Sequence, residues 1–330
     1  MGKNMSKITI VMYHYVRDLK HSRYPEIKGL DVGLFKEQLQ YILKHYEVIR
    51  MEELIEAIKN YKKLPSNSLL LTFDDAYKDH FDYVFPILDE FGIQGSFFPS
   101  AKAIQKHQVL DVNKIHFILA SVEDKNQIIS DIYHIMDKNR KYYSLKSIDY
   151  YDRKLKTEES RFDTKEIIFI KRMLQRELQE KLRNKIVNFL FKKYVSKNEC
   201  SFSRELYMNM DQLKCMRRNG MYIGSHGHDH YWLNTLSKKQ QQKEITLSRK
   251  FLKEIGCNTE NFVFCYPYGA YNESLLSVLK ENGCSLALTT NSRIADINKE
   301  NPFTLSRLDT NDIPKDGSAK PNKWTLEIKV

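Results

Sequence analysis

The 330-residue chain has no run of about 18 consecutive apolar residues, the length a membrane-spanning helix needs. Its opening, MGKNMSKITIVMYHYV, sets a short apolar stretch among polar and charged residues without a small-residue cleavage site, so neither a secretory signal nor a span is expected. Cysteine is sparse and odd in number, five residues with no Cys-x-x-Cys pair. That excludes a disulfide framework or a zinc ribbon and predicts reduced thiols in a cytoplasmic protein. Glycine-rich phosphate loops, Cys/His finger spacings and RNA-type aromatic motifs are missing as well, so the net charge of +11 does not by itself make a nucleic-acid partner. Histidine is scarce too: ten occur, and none follows His230.

The basicity is local. Residues 121–199 carry 19 Lys/Arg against 13 Asp/Glu. On either side of this region, apolar runs of strand length alternate with helical periodicity. "ITIVMYHYV" (8–16), "SLLLTF" (68–73), "GSFFPS", "GMYIGS", "FVFCYP" and "CSLALTT" read as strands, and "GLFKEQLQYILKHY", "MEELIEAIKNYKK", "YVFPILDEFG", "SKKQQQKEITLSRKFLKEIG" and "NESLLSVLKENG" as helices. Such βα cycles imply a parallel sheet, either open and doubly wound or closed into a barrel. The cycle breaks over residues 106–205, read as a helical, Lys-rich insertion within a single domain spanning 1–330. There Ile167, Ile170, Met173, Leu174, Leu178 and Leu182 keep one apolar stripe. A basic helical face is ordinarily just solvated; its functional alternative is contact with substrate or peripheral contact with a membrane surface.

"TFDD", "GSHGHDH" and "CYPYG" each stand at the carboxyl end of an expected strand, where α/β sheets gather their sites. His226 and His230 are four apart, so on a helical turn or compact loop both imidazoles can reach one ion, whereas His228 points elsewhere. The "TFDD" strand delivers Asp74 and Asp75 to the same end. One aspartate can ligate the ion while the other takes a proton from the attacking water. Two imidazoles and one carboxylate leave coordination positions open, as catalytic sites do and structural sites do not. The donor set suits zinc first, with cobalt, nickel or iron as alternatives.

"LLLTFDDAYKDHF", "IGSHGHDHYWL" and "FCYPYGAYN", in that order, resemble the first three motifs of the polysaccharide deacetylase family, the NodB-homology carbohydrate esterases. The resemblance covers roughly 8–105 and 205–310. It implies an α/β fold of the distorted (β/α)7-barrel type and a divalent-metal hydrolase that removes acetyl groups from N-acetylated, sometimes O-acetylated, sugars. It also implies Asp74 as catalytic base, Asp75, His226 and His230 as metal ligands, and a Tyr268 backbone N–H on the oxyanion. The expected partner is an acetylated carbohydrate, free, nucleotide-linked or lipid-linked.

The chain departs from the family pattern in three places. Where many members have Ser or Thr after the first metal histidine it has Gly227, so Ser225 or Asp229 is expected to support the loop. Where many have an arginine orienting the base it has Cys265, and Arg307 in "FTLSRLDTND" is the candidate replacement. The family's late histidine acid is missing, and His14 in "VMYHYV" is the candidate, as in relatives that look circularly permuted. Trp232 either packs under the metal loop or offers a face to a sugar ring. These departures leave one rival reading, a carbohydrate-binding protein of the same fold with impaired turnover.

Overall fold

The computed structural model describes residues 7–155 and 163–328. Its central feature is a ring of parallel strands: β1 (Lys7–Tyr13), β2 (Ser68–Asp74), β3 (Gly95–Phe98), β4 (Tyr222–Ile223), β5 (Phe262–Cys265), β6 (Cys284–Leu288) and β7 (Leu308–Asp309). β1 to β4 are neighbours in that order, β5 pairs with β6, and β7 pairs with β1 through Val11 and Leu308. Two single bridges complete the circuit. Ser225 N donates to Val263 O at 2.9 Å and Cys265 N to Ser225 O at 2.8 Å, while Leu305 bridges Leu288, the last residue of β6. The expected barrel is therefore present, distorted where these links are shortest. A short strand at Ala295–Asp296 adds antiparallel to the outer end of β1.

β2 is buried along its whole length, as a continuous apolar run in a parallel sheet must be. Its two faces divide the core. Leu70 packs with Ile8, Ile10, Phe98, Val263, Cys265, Leu286 and Leu288 inside the ring. Phe73 stacks on Tyr13 and Phe97, with centroids 4.9 and 4.8 Å away, toward the Val32–His45 helix, whose Phe35 and Gln38 meet Tyr13. The polar residues Thr72 and Asp74 share the Leu70 face by alternation, so they top the apolar interior at the carboxyl end.

By contacts the chain falls into two units: residues 7–18, 29–107 and 203–328, which include the ring, and residues 19–28 with 108–202. The second unit is helical. Its helices Asp111–Ser121, Lys125–Asn139, Lys165–Arg172 and Glu180–Tyr194 bury Ile118, Ile132, Phe169, Ile170, Leu182, Ile186 and Leu190. The stripe expected to run on through one helix is broken. After a π-helical turn at Met173–Glu177, Leu178 is extended (φ −80°, ψ 154°), although Met173, Leu174, Leu178 and Leu182 are all buried as the stripe requires. No described helix is long and apolar enough to cross a membrane, and all five cysteines are unpaired.

Candidate active site

Three segments leave the ring at its carboxyl end and meet there. β2 ends at Asp74, and the chain turns at once through Asp75 and Ala76, whose φ values of 70° and 56° lie in the left-handed region. The loop after β4 turns at Gly227 (φ 78°) and again at His230 (φ 58°), and the short helix after β5 holds Tyr268 at φ 58°. Left-handed backbone at Asp75, His230 and Tyr268 is costly for residues with a Cβ, and such conformations persist where surrounding structure enforces them, commonly at functional sites.

The two aspartates have different surroundings. Asp74, 1% exposed, receives Arg307 in a two-point contact, Nη1 to Oδ1 at 3.0 Å and Nη2 to Oδ2 at 2.8 Å. Burial pushes the Asp74 carboxyl up, but Arg307, with His226 and His14, outweighs it and holds the group well below the usual carboxylate range. Arg307 is itself fixed by Nε to Thr289 O (2.8 Å) and Nη1 to Thr72 Oγ1 (3.2 Å). It lies between the Leu305 bridge and β7. Cys265 is buried beside the pair, and burial pushes its thiol far up, so it is an uncharged neighbour.

Asp75 faces the histidines. Its Oδ2 accepts from the Tyr77 hydroxyl at 2.6 Å. Its Oδ1 is buried without a hydrogen-bond partner, 3.5 Å from His226 Nε2 and 3.4 Å from His230 Nε2. His226 Nδ1 donates to Cys265 O at 2.8 Å, which leaves the Nε2 lone pair directed at the carboxylate. Burial pushes His230 down to about 4, against the pull of Asp75, so its imidazole is neutral at ordinary pH. One nitrogen from each imidazole and a carboxylate oxygen with no other hydrogen-bond partner can supply the donors for a divalent ion.

The loop carrying the histidines has the Ser225 contact that was expected and a further support from a helix. Ser225 Oγ accepts from Gly227 N at 3.2 Å. The main support, Glu244 of the Lys238–Glu254 helix, was not anticipated: one carboxylate oxygen accepts from His228 N (3.1 Å) and Asp229 N (2.9 Å). A signal was present, because Glu244 falls on the stripe of Gln241, Ile245, Ser248, Phe251 and Leu252 that the helix buries. Burial and the neighbouring Asp229 push Glu244 up to about 7. His228 turns away from the other two histidines, its Nδ1 3.0 Å from Asp229 Oδ2. His228, Asp229 and Glu244 also cluster, but the Lys102 ammonium already pairs with Asp229 and Glu244 is committed to the loop amides.

His14 follows β1, half-buried, and acts electrostatically on both Asp74 and Asp75. Its carbonyl accepts from His80 Nε2 at 2.6 Å. His80, pushed down to about 4 by burial, ties the end of β1 to the segment that follows Asp75. Trp232 lies flat on Tyr268 (4.3 Å, 3°), and Tyr268 meets His230 edge-on (4.8 Å), so one indole face is already covered.

Residues 61–143 and 177–287, well over half the chain, match the model of a family described as polysaccharide deacetylase. The putative polysaccharide deacetylase YxkH of Bacillus subtilis (strain 168) is 32% identical over 90 residues, which cover 27% of this chain and 32% of that protein. The chain thus matches about a third of that relative's length. Two solved structures share the fold. The Streptococcus pyogenes deacetylase PplD in complex with acetate superposes with a TM-score of 0.57 at 19% identity over 92% of each chain. IcaB from Ammonifex degensii does so with a TM-score of 0.55 at 16% identity over 98% of each chain.

Proposed function

Because the chain belongs to the polysaccharide deacetylase family, we propose that it is a metal-dependent hydrolase removing the acetyl group from an N-acetylated sugar of a polysaccharide or glycoconjugate. The observation that carries this reading is the convergence of the unpartnered Asp75 Oδ1 with the Nε2 atoms of His226 and His230, beside the Asp74–Arg307 pair. Asp75, His226 and His230 would hold a divalent ion, zinc in the first instance. When bound, the ion supplies Lewis acidity, polarising the acetyl carbonyl and making the attacking water acidic enough for a weakly basic carboxylate to deprotonate.

Asp74 takes the proton from that water. Arg307 keeps it ionised and aims both its oxygens. The Tyr268 backbone N–H, held by the left-handed turn, donates to the oxyanion of the tetrahedral intermediate. His14 protonates the departing nitrogen. An amine needs a proton to leave more than an alcohol does, so a histidine at this position favours acetamide over acetyl-ester cleavage. The unpaired cysteines fit a reducing, cytoplasmic location for the reaction. An impaired carbohydrate-binding protein is less well supported, because Arg307 occupies the space beside Cys265 where a base-orienting arginine is needed.

Purified protein loaded with zinc, cobalt or nickel is expected to release acetate from acetamido sugars offered free, nucleotide-linked or lipid-linked. Absence of acetate from every acetamido and acetyl-ester substrate, with bound metal confirmed in the same sample, refutes the reading. The loop support gives a second expectation. Glu244→Ala deprives two amides beside the ligands of their acceptor, and metal affinity should fall by roughly 10–100-fold, as for other groups that orient ligands without touching the ion. Titration with a chromophoric chelator measures this directly.

A further inference from the structure

We infer that a cavity walled by Lys78, His107 and Arg204 binds a phosphoryl group carried by the substrate, an inference that rests on the deacetylase reading and specifies its substrate as an acetylated sugar bearing a phosphate ester. The cavity encloses about 380 Å³ within the unit that contains the barrel. Ligand sites usually measure a few hundred cubic ångström or more.

Its walls share a backbone segment with the site. Lys78 lies three residues after Asp75. Between them, Ala76 O accepts from Met208 N at 3.0 Å, and Tyr77, whose hydroxyl is on Asp75, bridges Tyr207. Tyr207 and Met208 line the cavity. The cavity wall and Asp75 are thus joined through one short backbone stretch.

The charge is of one sign. Lys78, His107 and Arg204 line the cavity with no acidic residue among its lining. Of the nearby acids, Asp79 pairs with Arg17 at 2.6 Å, and Glu205 and Asp211 are exposed and outside the lining. Ala103, Ile104, Tyr207 and Met208 supply apolar wall, and a concavity with apolar walls concentrates the field of the cations that line it. The nine-residue helix Met210–Arg218 also begins here: Asn209 and Gln212, which close its capping box on each other at 2.9 Å, both line the cavity. A helix amino terminus adds positive potential to that of the side chains. Arginine and lysine with such a terminus form a set suited to phosphate.

The test compares an acetamido sugar, its 1-phosphate and a corresponding uronate on metal-loaded wild type and the Lys78→Ala/Arg204→Ala variant. Wild type is expected to show a KM at least about tenfold lower for the 1-phosphate than for the neutral sugar, reflecting charge-assisted hydrogen bonds. The variant should raise the KM for the 1-phosphate by about the same factor, with kcat, metal content and the neutral-sugar KM unchanged. Equal KM values for phosphorylated and neutral sugars in wild type, or parallel changes for both in the variant, overturn the proposal while leaving the deacetylase reading intact. A uronate matching the 1-phosphate overturns the assignment to phosphate. Should wild type hydrolyse none of the sugars, the deacetylase reading fails, and calorimetry with the sugar 1-phosphate still decides the subsite. Binding that the variant loses supports the subsite; binding that is absent, or equal in both proteins, refutes it.

Discussion

His226→Ala and His230→Ala should each abolish metal binding, lowering affinity by more than about 100-fold and exceeding what loss of an orienting residue costs, whereas His228→Ala should lower it by less than about tenfold. The asymmetry follows from where the rings point. His226 and His230 bring Nε2 to 3.5 and 3.4 Å from the same Asp75 oxygen, and His228 is turned to Asp229. Asp75→Asn should behave like the outer histidines, because Asp75 Oδ1 has no other partner and its charge is what two neutral imidazoles lack. Inductively coupled plasma analysis after dialysis reads occupancy. Thermal unfolding gives an independent readout, because a ligand at about 100 times its Kd stabilises the folded state by about 2.7 kcal/mol. That metal-dependent rise in Tm should persist in His228→Ala and vanish in the other three variants. Equal loss in all four overturns the ligand assignment.

The outer pair could be chosen from spacing because i and i+4 residues share a side in any compact turn, and strand-end motifs converge in a parallel barrel whatever the intervening chain does. The local periods of β2 and of the Lys238–Glu254 helix were likewise readable from apolar residues alone. Closure of the ring was not. It depends on single bridges at Ser225 and Leu305, too short to leave a period. Nor was the break at Leu178, because the apolar stripe runs through it in register while the backbone turns without glycine or proline to mark the place. Leu19–Lys28 reads as a polar loop, yet it groups with the helices over 90 residues later, through contacts such as Tyr24 on Phe117 at 4.9 Å. Glu244 sits in a lysine-rich helix, where a glutamate is ordinarily solvated. Only its phase on the buried stripe distinguishes it.

Arg307→Leu should destabilise the fold by about 3–5 kcal/mol and abolish turnover, since it strands Asp74 as an unpaired carboxylate in a buried setting. Part of the loss should return in Asp74→Asn/Arg307→Leu, which removes the stranded charge. The double variant should therefore be more stable than Arg307→Leu alone, a coupling that separates charge burial from lost packing. Linkage fixes the pH dependence. In wild type the folded Asp74 pKa lies below the ordinary value of about 3.9, so its contribution is complete above that pH and fades as pH falls through the folded pKa. In Arg307→Leu the largest opposing influence is gone and burial raises the folded pKa instead. The deficit should then be smaller near pH 4 than at neutrality and grow as pH rises, because the folded variant retains a proton that folded wild type has already released. Arg307→Lys keeps a charge but loses the two-point contact and the bonds to Thr289 and Thr72. It should recover more stability than activity, because a base must be aimed as well as ionised. Urea unfolding from pH 4 to 8, with acetate release on the same samples, measures both. A deficit in Arg307→Leu that does not vary with pH refutes this account of the pair.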